Sequence, residues 1–379
     1  MGASVRKSTM VKARGPGLRP GGAAVLLSAC FLLGCSQTHP PVEKSATAHR
    51  AAWMAEGSYG VMVHYLITPP GDTPADKTAN LNRIVDGFDL DYFIGQVEAS
   101  RADWLIFTVG QNTGYYCSPN AYLDHLLAGH TSRRDLPLEI GRRLAAMEKR
   151  LIIYFPAQPD SAPVEVQQAF AWNREDQREF LKRNLEFIRT YARQYGRYHH
   201  GWWYDGCYEP FSRGRWDWAQ WCEASRVGNP DAIVAFNDGA FCVGRIKPVS
   251  TLQDYHGGEV HVLEDGQIRL EFLCVPNVQR TSDGRLRVPE QEPRFYLPDA
   301  QYIDGVQWHA LVPVDSSFCY PTVPNMHYED AELLRFIRAC KAVRGAVTLN
   351  VPIDQKGHIP KGSAAQLARI GEAIATRAH

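Results

Sequence analysis

No two of the nine cysteines in this 379-residue chain stand as Cys-x-x-Cys. That spacing serves structural zinc sites, so a zinc-held domain is not expected. No glycine-rich phosphate loop follows any predicted strand, which weakens a dinucleotide-binding reading. Net charge is missing too: 41 basic residues balance 41 acidic ones. Nothing in that balance draws the chain toward nucleic acid or an anionic membrane. The apolar run Ala23 to Leu33 falls well short of the roughly 20 residues that span a bilayer. There is no nucleophile elbow for Ser/His/Asp chemistry, and no internal repeat or low-complexity tract. His and carboxylate residues do not recur in a pattern that suggests a metal centre, so neither metal nor organic cofactor is expected.

What is present begins with an export signal. Arg6, Lys7, Lys12, Arg14 and Arg19 form a basic region, followed by the apolar run and then by Leu32-Leu33-Gly34-Cys35. This order is that of a bacterial lipoprotein signal, with Cys35 as the lipidated thiol. Residues 1–35 are therefore expected to be signal peptide, residues 36–56 a tether, and residues 57–379 one catalytic domain. The expected location is the cell envelope, lipid-anchored at the periplasmic face or the outer membrane, with the lipid as the only membrane contact. Export allows disulfides, but the seven remaining cysteines, Cys117, Cys207, Cys222, Cys242, Cys274, Cys319 and Cys340, are odd in number.

From Ser58 onward, strand patterns alternate with helical ones. Strands are predicted at Tyr59–Tyr65, Asp103–Val109, Leu151–Phe155, up to Asp205, at Ala232–Phe236, Val306–Ala310 and Ala346–Val351. Helices are predicted at Phe88–Ser100, Asp135–Lys149, Asp176–Tyr195, Asp217–Ser225, Tyr328–Arg344 and Ser363–Ala375. Glu271–Val275 has strand character, and Arg280–Leu297 is a hairpin or long loop. Alternation of this kind makes a parallel sheet with helical crossovers. Polar residues recur where strands stop, at His64, Gln111, Asp205 and Asn237, which favours a closed α/β barrel of the (β/α)8 TIM type with a site on one rim.

The central stretch is Gly201-Trp202-Trp203-Tyr204-Asp205-Gly206. Its aromatic residues favour a strand, and its exit carries one carboxylate. Indoles beside a carboxylate suit a sugar, because rings stack on apolar pyranose faces. Retaining glycoside hydrolysis needs two carboxyl groups, a nucleophile and an acid/base. Asp205 is the candidate nucleophile. Its partner is sought among Glu209, Glu259 and Glu264, with Glu259 preferred because Gly257-Gly258 makes its loop pliable. Glu209, only four residues from Asp205, is assigned to the leaving-group side. His64 offers a hydrogen bond to a sugar hydroxyl, whereas His199 and His200 precede their strand and are read as structural.

These residues resemble the alpha-L-fucosidases of glycoside hydrolase family 29 over roughly residues 57 to 375. Gly60-Val61-Met62-Val63-His64-Tyr65 is similar to the family's "FGLFIHWG". Arg101-Ala102-Asp103-Trp104-Leu105-Ile106-Phe107-Thr108 is similar to the end of its "AKEAGAKYVVLT" run. Arg134-Asp135-Leu136 resembles "RDIV", and Tyr195 to Gly206 resembles "Y…LWFDG". Thr348-Leu349-Asn350-Val351-Pro352, with Gly357-His358-Ile359-Pro360, resembles "LLNVGP…DGTIP". The resemblance implies a retaining exo-glycosidase acting on alpha-L-fucosides or related oligosaccharides and glycoconjugates, with Asp205 as nucleophile.

Departures are local. The family's "KHHDGF" is replaced by Gly110-Gln111-Asn112-Thr113-Gly114-Tyr115, which makes Gln111, Asn112 and Tyr115 the candidate hydroxyl ligands. Its "WE" is replaced by Trp308-His309, ahead of Ser317-Phe318-Cys319-Tyr320. Trp203 and Trp308 complete the expected substrate wall. The alternative reading is a barrel without catalysis that binds glycans at the cell surface.

Overall fold

The computed structural model describes residues 49–212, 214–239, 247–260, 263–270, 279–280, 286–287, 294–315 and 328–376. The signal segment with Cys35, most of the expected tether, Cys242, Cys274, Cys319, the predicted strand Glu271–Val275 and Ser317–Tyr320 lie outside the described residues.

Seven strands form one parallel sheet: β1 (Gly60–Val63), β2 (Trp104–Thr108), β3 (Arg150–Pro156), β4 (Gly201–Asp205), β5 (Ile233–Phe236), β6 (His309–Pro313) and β7 (Ala346–Val351). Their order in the sheet is β6-β7-β1-β2-β3-β4-β5. The eighth place, between β5 and β6, is taken by the segment 254–260. It makes parallel bridges at Tyr255–Gln307 and Glu259–Leu311. On its other side, the Asp254 amide donates to the Val234 carbonyl at 2.8 Å. The architecture is an α/β barrel of the TIM type.

Alternation along each strand divides the core in two, because successive side chains point to opposite faces. Met62, Ile106, Ile152, Tyr154, Trp203, Ala235 and Leu311 fill the barrel interior. Val61, Phe107, Phe155, Trp202, Tyr204, Val234 and Val312 face outward into the layer under the helices. Both faces of the strands are buried, as expected of a parallel sheet. The helix Arg178–Tyr195 shows the matching stripe, burying Phe180, Leu185, Ile188, Tyr191 and Tyr195. Asp135 caps the helix Leu136–Ala145 through the Leu138 amide.

The differences from expectation are informative. Val306–Ala310 is not one strand: Val306–Gln307 pairs antiparallel with Tyr302–Ile303, and the barrel strand starts at His309. Residues 52–56, within the stretch expected to be tether, form a helix with Met54 and Ala55 buried, so packing begins ahead of Gly57. Pro74–Asp86 is a helix with a Thr73/Asp76 capping box, where no helix was expected. Within Arg280–Leu297, Leu286–Arg287 pairs with Gln279–Arg280 and Arg294–Tyr296 with Ile268–Leu270. Cys117, Cys207, Cys222 and Cys340 are buried free thiols.

Candidate active site

All seven strands run in one direction, so their C-terminal ends share a rim. Asp205 is the last residue of β4 and points inward, in alternation with Trp203 below it. Gly206 follows in the left-handed region at φ 84°, which turns the chain sharply away and leaves the carboxylate at the mouth.

Among the described residues, three side chains address that carboxylate. The Tyr154 hydroxyl donates to its Oδ2 at 2.6 Å. The Asn237 amide donates to Oδ1 at 2.9 Å. The Gln111 amide lies 3.5 Å from Oδ2, at the outer limit of a hydrogen bond. Tyr154 is held by stacking on Trp203, with ring centroids 5.2 Å apart, and by the edge of His64 at 4.8 Å.

The same Asn237 nitrogen donates to Glu259 Oε2 at 2.8 Å. One primary amide therefore holds both carboxylates. Asn237 stands immediately after β5, and Glu259 lies on the eighth segment, so two neighbouring barrel positions meet here. Among the sequence candidates for the second acid, the structure brings Glu259 to Asp205. Glu264 belongs to the short antiparallel pair Leu263–Glu264 with Gln267–Ile268.

Burial, then the Glu259 charge, lifts the Asp205 carboxyl to about 6. Burial, with the charges of Glu259 and Glu209, also lifts Asp238 to about 6. The Glu259 charge thus acts on both Asp205 and Asp238. Burial lowers His64 to about 4, against the opposing pull of Asn350 and Glu259. Its ring is neutral at pH 7, and Nδ1 meets Asn350 Oδ1 at 3.2 Å.

The other expected ligands divide. Gln111 and Asn112 line a small cavity with Tyr116, Gln158 and Asn184, of about 20 Å³, room for about one water. Tyr115 stacks face to face on His130 with centroids 4.4 Å apart, and is not among the side chains that contact Asp205. Glu209 is exposed at the start of the short helix Glu209–Ser212, where its charge acts on Asp238. Trp203 is 1% exposed, so it underlies the site instead of walling it. Trp308 is a correction. It is fully buried in the outer layer, bonded through its indole to the Tyr296 hydroxyl at 3.1 Å, and it precedes β6, at the end of the barrel away from Asp205. The physical reason is the later start of β6: Trp308 was expected inside a strand Val306–Ala310, whereas β6 begins at His309 and leaves Trp308 ahead of it. His199 and His200 also lie at that far end, where His199 Nδ1 meets the Gly196 carbonyl at 2.8 Å.

Tyr154, Asn237 and Asp238 were not singled out as site residues. Asn237 was visible as a polar strand end; Tyr154 carries no such signal, because it sits inside an apolar strand. Among the described residues, no group of three or more His, Cys, Asp or Glu is arranged to hold a metal ion.

A TIM-type barrel with an acidic pair at its C-terminal rim is the class that the fold and the site define. No protein-family model matches the chain, and no curated protein matches it. Solved structures do. An alpha-L-fucosidase isoenzyme 1 from Paenibacillus thiaminolyticus superposes with a TM-score of 0.60 at 17% identity, over 87% of this chain and 76% of that one. The alpha-L-fucosidase AlfC from Lactobacillus casei, solved with alpha-L-fucose product, gives 0.54 at 12% identity, over 87% and 99%. An endo-fucoidan hydrolase of glycoside hydrolase family 107 gives 0.59 at 16% identity. The match covers 86% of this chain and 53% of that one, about half its length. At these identities the likeness is one of fold.

Proposed function

We propose that the protein is a retaining exo-glycosidase for alpha-L-fucosides or closely related glycosides, with Asp205 as nucleophile and Glu259 as general acid/base. The observation that carries this reading is the shared amide. The two hydrogens of a primary amide diverge by about 120°, so oxygens held by both stand about 5 Å apart. Retaining glycosidases separate their carboxyls by about 5 to 5.5 Å, and inverting ones by about 6.5 to 9.5 Å to admit a water. The fucose-active solved structures on the same barrel favour this substrate class.

Asp205 attacks the anomeric carbon as the glycosidic C–O bond breaks and the Glu259 proton passes to the leaving oxygen. Glu259 then takes a proton from water, whose oxygen displaces Asp205 from the anomeric carbon. The carboxylate is released and Glu259 is again protonated. Tyr154 and Asn237 hold Asp205 for attack by donating to its two oxygens. His64, Gln111 and Asn112 serve the sugar hydroxyls. Anchoring through Cys35 at the outer side of a bacterial membrane, suggested by the basic, apolar and Leu-Leu-Gly-Cys order, would place this activity on envelope or imported glycans.

A screen of nitrophenyl glycosides tests the reading: turnover is expected on the alpha-L-fucoside, and turnover of none contradicts it. The acidic pair also sets a pH profile. Part of the rise of Asp205 to about 6 is the negative charge of Glu259, so that value marks loss of the last proton from the pair. Double displacement needs one proton on the pair. Hence kcat/KM is expected to fall about tenfold per pH unit above the limb near 6. A pH–rate profile flat from about pH 5 to about pH 9 contradicts the assignment.

A further inference from the structure

The segment that closes the barrel is held in an unusual way. Toward β6 it pairs by backbone: His256 donates to Gln307, Leu311 to Gly258, and Val260 to Leu311. Toward the barrel interior, side chains take over. The Trp203 indole donates to the Gly257 carbonyl at 2.9 Å. His309 Nδ1 meets the His256 carbonyl at 2.9 Å, and its Nε2 meets Thr348 Oγ1 at 2.7 Å. The Trp104 indole donates to that same Thr348 oxygen at 2.9 Å.

These contacts fix every proton. A carbonyl only accepts, so His309 Nδ1 carries the hydrogen. An indole only donates, so the Thr348 hydroxyl hydrogen is left for Nε2. Burial keeps the ring neutral, pushing it down to about 3, and one tautomer satisfies both nitrogens. The two anchored carbonyls belong to consecutive residues, two and three positions before Glu259. The intervening glycines permit the approach. A β-carbon on Gly258, at φ 72°, would lie 2.1 Å from the His309 carbonyl oxygen, and one on Gly257 would lie 2.8 Å from Asn237 Cα. The segment is therefore seated against Asn237, the amide that Glu259 must reach.

We propose that Trp203 and His309 are positioning residues for the Glu259 carboxyl, acting through the carbonyls of Gly257 and His256. Neither needs to touch substrate. The inference rests on Glu259 being the proton donor of the proposed reaction, but its structural half can be read without turnover.

The test uses Trp203→Phe, which keeps a ring against Tyr154 and removes the donor, and His309→Leu. His309→Asn, which restores an N–H near the Nδ1 position, is the rescue. Two readouts are taken on the full domain. Amide exchange at residues 256–260 is expected to quicken about tenfold or more in the first two variants and to recover in His309→Asn. Unchanged exchange there overturns the proposal, whether or not the protein hydrolyses anything. If wild type turns over fucosides, kcat/KM for an alkyl alpha-L-fucoside is expected to drop about 10- to 100-fold. For a nitrophenyl alpha-L-fucoside, whose phenolate departs with little help from an acid, it is expected to drop by less than about threefold. Equal losses on both substrates also overturn it. An inactive wild type with exchange that quickens as expected removes the glycosidase reading and leaves the anchoring intact.

Discussion

Asp205→Asn is expected to lower kcat/KM on an aryl alpha-L-fucoside by at least about 10,000-fold, some 5 kcal/mol of transition-state stabilisation. The amide has the size of the carboxylate and can stay within reach of Tyr154 and Asn237, but it cannot form the glycosyl ester. The fold is expected to survive, and its stability to shift in a defined direction. In the folded protein the carboxyl is raised to about 6, so ionisation is disfavoured there. The stability it allows is present at low pH and is lost as pH rises through that value. The neutral variant therefore melts a few degrees higher than wild type near pH 7.5 and shows little gain near pH 4.5. Kinetics and thermal melts at the two pH values check both halves. Full activity in Asp205→Asn would sink the nucleophile assignment. Azide separates roles further: with Asp205→Gly it should restore turnover and give the glycosyl azide of inverted configuration.

Glu259→Gln carries the second large effect. On an alkyl alpha-L-fucoside, where the alkoxide needs a proton, kcat/KM is expected to fall about 100- to 10,000-fold. On a nitrophenyl substrate the first step needs little acid, so kcat/KM is nearly kept while kcat falls, because water attack on the glycosyl ester loses its base. Removing this charge also removes part of what lifts Asp205, so the descending limb of the pH profile disappears. Azide should raise kcat in this variant and give the azide of retained configuration. Similar losses on both substrates would assign Glu259 to structure and turn attention to Asp238, which burial and the Glu259 and Glu209 charges also lift to about 6.

The barrel strands were legible because each is apolar on both faces and stops at polar or turn-forming residues. β4 was the clearest, since Trp202 to Tyr204 run straight into Asp205-Gly206. Asp205 and Glu259 could be nominated from local signals, a strand end and a glycine-flexed loop. Their meeting on Asn237 could not be nominated, because it depends on register across β4, β5 and an eighth place that is no regular strand. Residues 254–260 carry two glycines, a histidine and two carboxylates, a poor strand signal. Side chains of β4 and β6 supply bonds that a backbone ladder would otherwise give. Tyr154 was invisible for a related reason: its position beside Trp203 follows from the β3–β4 register, while its own neighbours are apolar. Trp308 went astray by one element boundary. Motif order set it near the mouth, whereas the strand begins one residue later and leaves its indole packed beneath the helices.

The most direct measurement is to trap the glycosyl-enzyme. A 2-fluoro alpha-L-fucosyl fluoride slows both steps but carries a good leaving group, so the covalent intermediate accumulates, and peptide mass mapping locates it. The account predicts one fucosyl label per chain, on the carboxyl of Asp205. A label on another residue, or turnover of fucosides with inverted product and no label at all, would contradict it.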